Sequence, residues 1–129
     1  MNTAHHTGNN TLHRVASLLD SDLQKILKKE IHNNDRIHLY DVGEYWVAFE
    51  KSAYMLEKMT DAGEKPLVLY LKSYPFPIVM RSIHYLKVND MCKKHIMAKR
   101  QLEYLQFLTK QTDDASYRKW YREYVIDKN

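Results

Sequence analysis

One pair of side chains in this 129-residue sequence has the types and the spacing that metal binding uses. Cys92 and His95 lie one helical turn apart, and thiolates and imidazoles are common zinc ligands. No second pair such as Cys-x-x-Cys accompanies them, and Cys92 is the only cysteine in the sequence. We therefore predict no metal site at this pair and no intramolecular disulfide, which is typical of a cytoplasmic protein.

Three carboxylates near the middle of the sequence could bind Mg²⁺ if they converged. Asp41, Glu44 and Glu50 are close in sequence, but strand alternation puts neighbouring side chains on opposite faces. Their convergence therefore depends on a turn at Gly43. The three glycines are isolated, so the sequence has no glycine-rich phosphate loop. We predict a non-enzymatic protein with no catalytic residues and no cofactor.

Composition permits an acidic partner without requiring one. The sequence has 20 basic and 16 acidic residues, a net charge of +4 and a pI near 9.1. Ten tyrosines stand against three phenylalanines and two tryptophans, and tyrosine packs as an apolar side chain while keeping a hydroxyl for hydrogen bonds. No stretch resembles a signal peptide or a membrane span, so we expect a cytoplasmic protein that does not enter a membrane.

Periodicity in the first half of the chain predicts helices around a pair of strands. Residues 1–12 are polar and predict a flexible tail. Apolar residues recur every three or four positions over residues 14–31, which predicts a helix with Lys25, Lys28 and Lys29 mostly off its apolar stripe. Alternation predicts a strand over residues 36–42. A turn or bulge at Gly43, a second strand and a helix over residues 50–60 follow.

The second half predicts one clear strand and more helix. Leu67 to Leu71 has the composition of a strand, and residues 78–88 fit either a strand or a helix, with a strand favoured for their first half. Residues 89–111 contain neither glycine nor proline and predict a helix. The sequence therefore predicts an α+β fold, in which residues 13–129 form one domain with a small mixed sheet, an N-terminal helix and a helical C-terminal portion.

A last helix is predicted from Asp114 to about Ile126. It carries an aromatic stripe at helical spacing, formed by Tyr117, Trp120, Tyr121 and Tyr124. Packing of this stripe into the core is the favoured interpretation. An exposed binding face is the alternative.

The stretch Asp35 to Ala53, DRIHLYDVGEYWVAFEKSA, resembles the signature of the N-terminal mismatch-recognition domain of the MutS DNA mismatch repair proteins. In that family a hydrophobic strand precedes Gly-Asp-Phe-Tyr-Glu-Leu-Phe, and an acidic helix start with Asp-Ala follows. Here the run from Gly43 to Phe49 occupies the first motif, and Ser52-Ala53 occupies the second. The resemblance fades from Pro75 onward, so it covers at most a stand-alone version of this one domain.

The resemblance implies contact with duplex DNA through an aromatic ring. Tyr45 takes the place of the family phenylalanine that wedges against a mispaired base, and Val47 takes the place of the glutamate that hydrogen-bonds to it. Stacking on a base is worth about 1–3 kcal/mol, but valine cannot accept a hydrogen bond. We therefore expect a nucleic-acid-binding module that uses Tyr45 and Trp46 beside the turn at Gly43, with no support for mismatch discrimination.

Basic side chains would neutralise the phosphates in this hypothesis, and we expect them to be Arg36, Lys72 and Arg81. A competing hypothesis is an accessory or protein-interaction module that keeps the fold without binding DNA. In that case the exposed part of the aromatic stripe would contact a protein partner or a second copy of the chain.

Overall fold

The computed structural model describes the backbone of residues 3–127 and the side chains of residues 10–126. Four α-helices and six strands make up this part of the chain. In order they are α1 (Thr3–Glu30), β1 (Arg36–Asp41), β2 (Tyr45–Phe49), α2 (Lys51–Met59), β3 (Leu67–Leu69), β4 (Ile78–His84), α3 (Tyr85–Lys94), β5 (Met97–Gln101), β6 (Tyr104–Leu108) and α4 (Asp114–Arg122), which continues as a π-helical segment over Glu123–Asp127.

The six strands form one sheet in the order β3-β4-β2-β1-β6-β5. Every neighbouring pair is antiparallel. The predicted α+β class is confirmed, but the sheet is antiparallel throughout where a mixed sheet was predicted. For two of the five pairs the reason is local, because short hairpin connections join β1 to β2 and β5 to β6, and such connections produce antiparallel pairs.

Helix α1 covers one face of the sheet. Its apolar stripe of Val15, Leu19, Leu23 and Ile26 packs against residues that alternate along the central strands, among them Tyr40, Val47 and Phe49. The helices α2, α3 and α4 cover the other face, where Ile37, Leu39, Ala48 and Phe107 contact α2 residues such as Leu56. The central strands are thus buried on both sides, and their two faces belong to two separate hydrophobic clusters.

The first helix is longer than the sequence predicted. Residues 1–12 were predicted to be a flexible tail, whereas α1 already begins at Thr3, and residues 1 and 2 lie outside the described residues. Helix propagation adds one hydrogen bond for each residue that is fixed, so a helix nucleated by its packed half extends readily into polar sequence. None of the helices described is long and apolar enough to cross a membrane.

A hairpin replaces most of the helix predicted over residues 89–111. Helix α3 ends at Lys94, and β5 and β6 follow as an antiparallel pair. Strand β6 pairs with β1 over five residues, from Tyr40–Tyr104 to Arg36–Leu108, and this buries Leu105 and Phe107. Pairing with a strand so distant in sequence outweighs the helical propensity of this stretch, which depends on local residues alone.

Candidate functional site

Tyr45 and Trp46, the predicted binding residues, point to opposite faces of the sheet. Tyr45 is half-buried on the α1 face, where its ring meets the ring of His84 edge-on with centroids 5.3 Å apart. Trp46 is half-buried against the cluster on the other face. The two rings therefore contribute to two different surfaces and do not form one stacking platform.

Gly43 forms the predicted tight turn between β1 and β2. It has φ +111°, which few residues other than glycine adopt. Its N–H donates to Oδ1 of Asp41 at 2.8 Å, and the N–H of Val42 donates to the carbonyl of Tyr45 at 2.9 Å. The side chain of Arg14 on α1 lies over the turn. The glycine thus has a clear conformational role in the hairpin.

One of the three predicted phosphate-binding residues is buried, so the three cannot act together on a phosphate backbone. Arg36 begins β1, about 17 Å along the strand from the turn beside Tyr45. Lys72 is exposed in the loop between β3 and β4. Arg81 is only 5% exposed, and its guanidinium donates to the carbonyls of Thr60, Gly63 and Glu64 at 3.0–3.4 Å. Arg81 therefore holds a loop in place and lies away from any surface that a phosphate could reach.

The aromatic stripe of α4 packs against the rest of the molecule. Trp120 is 7% exposed and donates from Nε1 to Glu57 Oε2 at 2.6 Å. The hydroxyls of Tyr121 and Tyr124 donate to the carbonyl of Pro77 at 2.6 Å and to Glu57 Oε1 at 3.3 Å. The favoured interpretation, packing, is confirmed for this stripe. Each polar atom named here already has a partner inside the molecule.

The structure brings basic and aromatic side chains together elsewhere, between α1, α4 and the loop before β4. Two cavities of about 690 and 440 Å³ adjoin there and share Glu50, Tyr74 and Tyr117. We call this region the aromatic cleft. Its volumes are in the range of small-molecule and nucleotide sites.

Four aromatic rings line the aromatic cleft: Tyr74, Phe76, Tyr117 and Tyr121. Phe76 is 63% exposed between Pro75 and Pro77. Because proline fixes its own φ and restricts the residue before it, this loop holds the ring in place at little entropic cost. The Tyr74 and Phe76 rings meet in a T-shape with centroids 5.7 Å apart. The cleft therefore presents a large, preformed aromatic surface.

Basic side chains from two helices surround these rings. Lys25 and Lys28 of α1 line the larger cavity, and Arg118 and Arg122 of α4 line the smaller one. All four are exposed, and none forms an ion pair with another described residue. Lys51 differs from these four, because its Nζ donates hydrogen bonds to Oδ1 of Asp114 at 2.9 Å and to the carbonyl of Ile31 at 3.0 Å.

Glu50 lies at the point where the two cavities meet. It connects β2 to α2 with φ +52° and ψ −121°, the one positive φ of a non-glycine residue in the described backbone. Such a conformation is strained by about 1–3 kcal/mol and is often found at functional sites. Burial raises the pKa of Glu50 to about 7, although the hydrogen bond from Tyr117 acts in the opposite direction.

Glu30, the last residue of α1, is the second carboxyl of the aromatic cleft. It is 3% exposed and accepts hydrogen bonds from the N–H of Ser52 at 2.8 Å, from Ser52 Oγ at 2.6 Å and from Asn33 Nδ2 at 3.2 Å. Burial raises its pKa to about 7, against the effect of these bonds. The network joins the end of α1 to the start of α2 and so fixes one wall of the cleft.

Metal binding finds no support in the described residues. No three or more of their histidine, cysteine, aspartate and glutamate side chains are close enough together to hold a metal ion. Cys92 is free and partly buried. The carboxylate of Asp41 lies 3.9 Å from the guanidinium of Arg14. Asp41 is beside the start of β2, whereas Glu50 follows the end of that strand, so the two carboxylates are far apart.

The sequence contained partial signals for the aromatic cleft. Phe76 between two prolines is a rigidly presented aromatic, and Lys25 and Lys28 lie off the apolar stripe of α1. No pattern in the sequence shows that the end of α1 and the start of α4 lie against the same loop. No protein-family model, no curated protein and no solved structure matches this chain, so the case for the site depends on the geometry of these residues alone.

Proposed function

We propose that this protein binds single-stranded nucleic acid in the aromatic cleft. The observation that carries the proposal is the meeting of four aromatic rings with basic side chains from two helices. Proteins that bind single strands combine a positive groove along the backbone with aromatic side chains on which bases stack. The proposal keeps nucleic acid as the partner and moves the binding surface away from Tyr45.

Stacking on Phe76 and Tyr74 supplies the contact with bases. Phe76 is largely exposed, while the hydroxyls of Tyr117 and Tyr121 are bonded to Glu50 and to the carbonyl of Pro77. The two tyrosines of α4 are therefore fixed walls. The exposed ring of Phe76 is the main stacking surface, with the half-buried ring of Tyr74 beside it. Each stacked base contributes about 1–3 kcal/mol.

The charge balance of the cleft favours a polyanion. Two ionised carboxylates at Glu30 and Glu50 would offset half of the four basic charges on the rim. Burial raises the pKa of both carboxyls to about 7, so near neutral pH a substantial fraction of each is uncharged. Lys25, Lys28, Arg118 and Arg122 then dominate the field that a phosphate backbone meets.

Stacking on these rings favours a single strand over a duplex. The rings line two adjoining cavities, and a base can stack on them only when its face is not covered by its neighbours in a duplex. Unstacking a duplex costs a few kcal/mol for each step. A single strand already has accessible bases, so it binds without this cost.

Fluorescence anisotropy with labelled single-stranded DNA, matched duplex and G·T-mismatched duplex tests the proposal at two salt concentrations. We expect the single strand to bind tightest and to weaken as salt rises. Phe76→Ala should weaken binding about tenfold, which corresponds to about 1.4 kcal/mol of lost stacking. Arg118→Ala combined with Arg122→Ala should reduce the magnitude of the salt slope by about 1.4, because two phosphate contacts are lost.

The matched control removes two exposed basic side chains outside the cleft, Lys65→Ala with Lys119→Ala. Lys119 is on the same helix as Arg118, and the control variant loses the same net charge as the Arg118/Arg122 variant. A difference in binding between the two double variants therefore reports the position of the side chains and not the net charge. Tyr45→Ala in the same titrations tests the hypothesis from the MutS resemblance. Loss of binding in Tyr45→Ala, with Phe76→Ala unchanged, would place the contact at the β1–β2 hairpin. Absence of salt-dependent binding to all three probes would reject nucleic-acid binding at either surface.

A further inference from the structure

A third cavity, separate from the two of the aromatic cleft, lies where α2 and α3 end, beside the segment that follows β6. It has a volume of about 730 Å³ and shares no lining residue with the aromatic cleft. The basic side chains around it are Lys58, Lys94, Lys110 and His95. We call it the lysine groove. It lies at the end of α2 opposite to Glu50, about 12 Å along that helix.

The lysine groove has positive side chains and no carboxylate among its lining residues. In the described part of the chain, Lys58, Lys94 and Lys110 form no ion pair. Lys58 lies over the ring of Tyr54, with Nζ 5.2 Å from the ring centroid, and its charge acts on the carboxyl of Asp113 without forming an ion pair. Three ammonium groups at one concave surface repel one another, so a bound anion would stabilise this arrangement.

We propose that the lysine groove binds a polyphosphate chain, either free or as part of a nucleoside triphosphate. A single carboxylate or a single phosphate would neutralise only part of the charge of three lysines. The linked phosphates of a polyphosphate carry several negative charges along one short chain. Each lysine binds phosphate as a point charge. Number and sign of charge therefore favour a polyphosphate over a monovalent anion.

The helix ends next to the groove do not reverse its sign. A helix C-terminus carries a partial charge of about −0.5, and α2 and α3 both end here. The two ends together offset about one of the three lysine charges. A smaller cavity of about 240 Å³ adjoins the groove and is lined by Asp61 and Asp90. Lys87 and Lys94 also line this smaller cavity and offset its two carboxylates, so an anionic ligand is favoured on the side of Lys94 that has no carboxylate.

The rest of the groove is lined by three apolar side chains and by the polar residues Thr109, Gln111 and Thr112. Met59, Ile96 and Leu108 line it, and Ile96 is 68% exposed. An inorganic polyphosphate leaves these side chains uncovered, whereas the base and ribose of a nucleotide can cover them. The two sources of the same phosphate chain are therefore distinguishable by affinity.

Isothermal titration calorimetry of the full chain with inorganic tripolyphosphate, ATP and orthophosphate tests the proposal. We expect the tightest tripolyphosphate site to hold one molecule per chain, and we expect orthophosphate to bind that site at least tenfold more weakly. Lys94→Gln with Lys110→Gln should weaken tripolyphosphate binding at least tenfold, because two of three charges are lost. Both side chains are exposed, so these substitutions leave the core intact.

Two controls separate this site from the aromatic cleft. Arg118→Ala with Arg122→Ala should leave the affinity of the tightest tripolyphosphate site unchanged, and Lys65→Ala with Lys119→Ala should do the same. ATP binding tighter than tripolyphosphate would support the proposal with a nucleotide as the source, and equal affinities would support it with an inorganic chain. No binding, or equal binding by the parent and the Lys94/Lys110 variant, would overturn it. Because the two proposed sites use different residues, failure of one proposal leaves the other unaffected.

Discussion

The hydroxyl of Tyr117 donates a 2.7 Å hydrogen bond to Oε2 of Glu50. The two residues are 67 positions apart in sequence, and their contact joins α4 to the strained residue between β2 and α2. A hydrogen bond to a carboxylate favours its charged form, so Tyr117 opposes the effect of burial on the pKa of Glu50. This one contact thus links α4 to the wall of the aromatic cleft and moderates the effect of burial on the charge of Glu50.

Removal of this hydroxyl should destabilise the protein and raise the pKa of Glu50 further. We expect Tyr117→Phe to lower the free energy of unfolding by about 1.5–3 kcal/mol at pH 8, where the lost bond is to a charged acceptor. Urea denaturation measures the change. Tyr121→Phe is the matched control, because it loses a bond to the neutral carbonyl of Pro77 and should cost about 1 kcal/mol. Equal losses in the two variants at pH 8 would contradict a charged acceptor.

Backbone strain at Glu50 can be measured apart from its carboxylate. Glu50→Ala and Glu50→Gly both remove the side-chain hydrogen bond, but only glycine adopts φ +52° and ψ −121° without steric cost. We expect the glycine variant to be more stable than the alanine variant by about 1–3 kcal/mol, even though glycine gains more entropy on unfolding. Urea denaturation at one pH compares the two, and an alanine variant of equal or greater stability would show that the turn is unstrained.

The fold was predictable where local pattern and tertiary packing agree. Strands β1 and β2, helix α2 and the first half of the region from Ile78 follow the predicted boundaries closely. The hairpin of β5 and β6 was missed because its stabilising contact is the long-range pairing of β6 with β1. Local propensity in Met97 to Leu108 carries no information about that partner.

The candidate site was less predictable than the fold. The sequence of the β1–β2 hairpin, with its acid, two aromatics and glycine, predicted Tyr45 and Trp46 as the binding residues. Strand alternation places these two side chains on different faces of the sheet. The aromatic cleft depends on contacts between α1 and α4, which no local pattern encodes. Glu50 illustrates the limit, because its burial and positive φ follow from the β2–α2 junction and its residue type does not reveal them.

The buried carboxyls should make the protein less stable as pH rises through the neutral range. The pKa of Glu30 and of Glu50 rises from 4.5 to about 7 on folding. Between these two pKa values the folded state binds more protons than the unfolded state. The contribution of these two carboxyls to the free energy of unfolding is therefore greatest below pH 4.5 and is lost as the pH rises through about 7. His38 acts in the opposite direction, since burial lowers its pKa from 6.5 to about 4. Two carboxyls outweigh one imidazole, so the net slope is downward.

Glu30→Gln should remove one of these contributions. The amide keeps an acceptor oxygen for the N–H of Ser52 and carries no charge at any pH. We expect the loss of unfolding free energy between pH 5 and pH 8 to be smaller than in the parent by about 2–3 kcal/mol. Urea denaturation at intervals across this range measures both curves. Parallel curves for the parent and the variant would show that Glu30 titrates normally in the folded protein.

Gly63 should not tolerate a side chain, because it lies against a buried guanidinium. A Cβ at this position would be 2.8 Å from Nε of Arg81, the residue that holds the loop carbonyls of Thr60, Gly63 and Glu64. Gly63→Ala must therefore displace Arg81 and weaken these bonds, at a cost of about 1–3 kcal/mol. Arg81→Met removes the guanidinium, and in that background Gly63→Ala should cost much less. A double-mutant cycle measured by urea denaturation gives the coupling, and a coupling near zero would mean that Arg81 does not restrict this position.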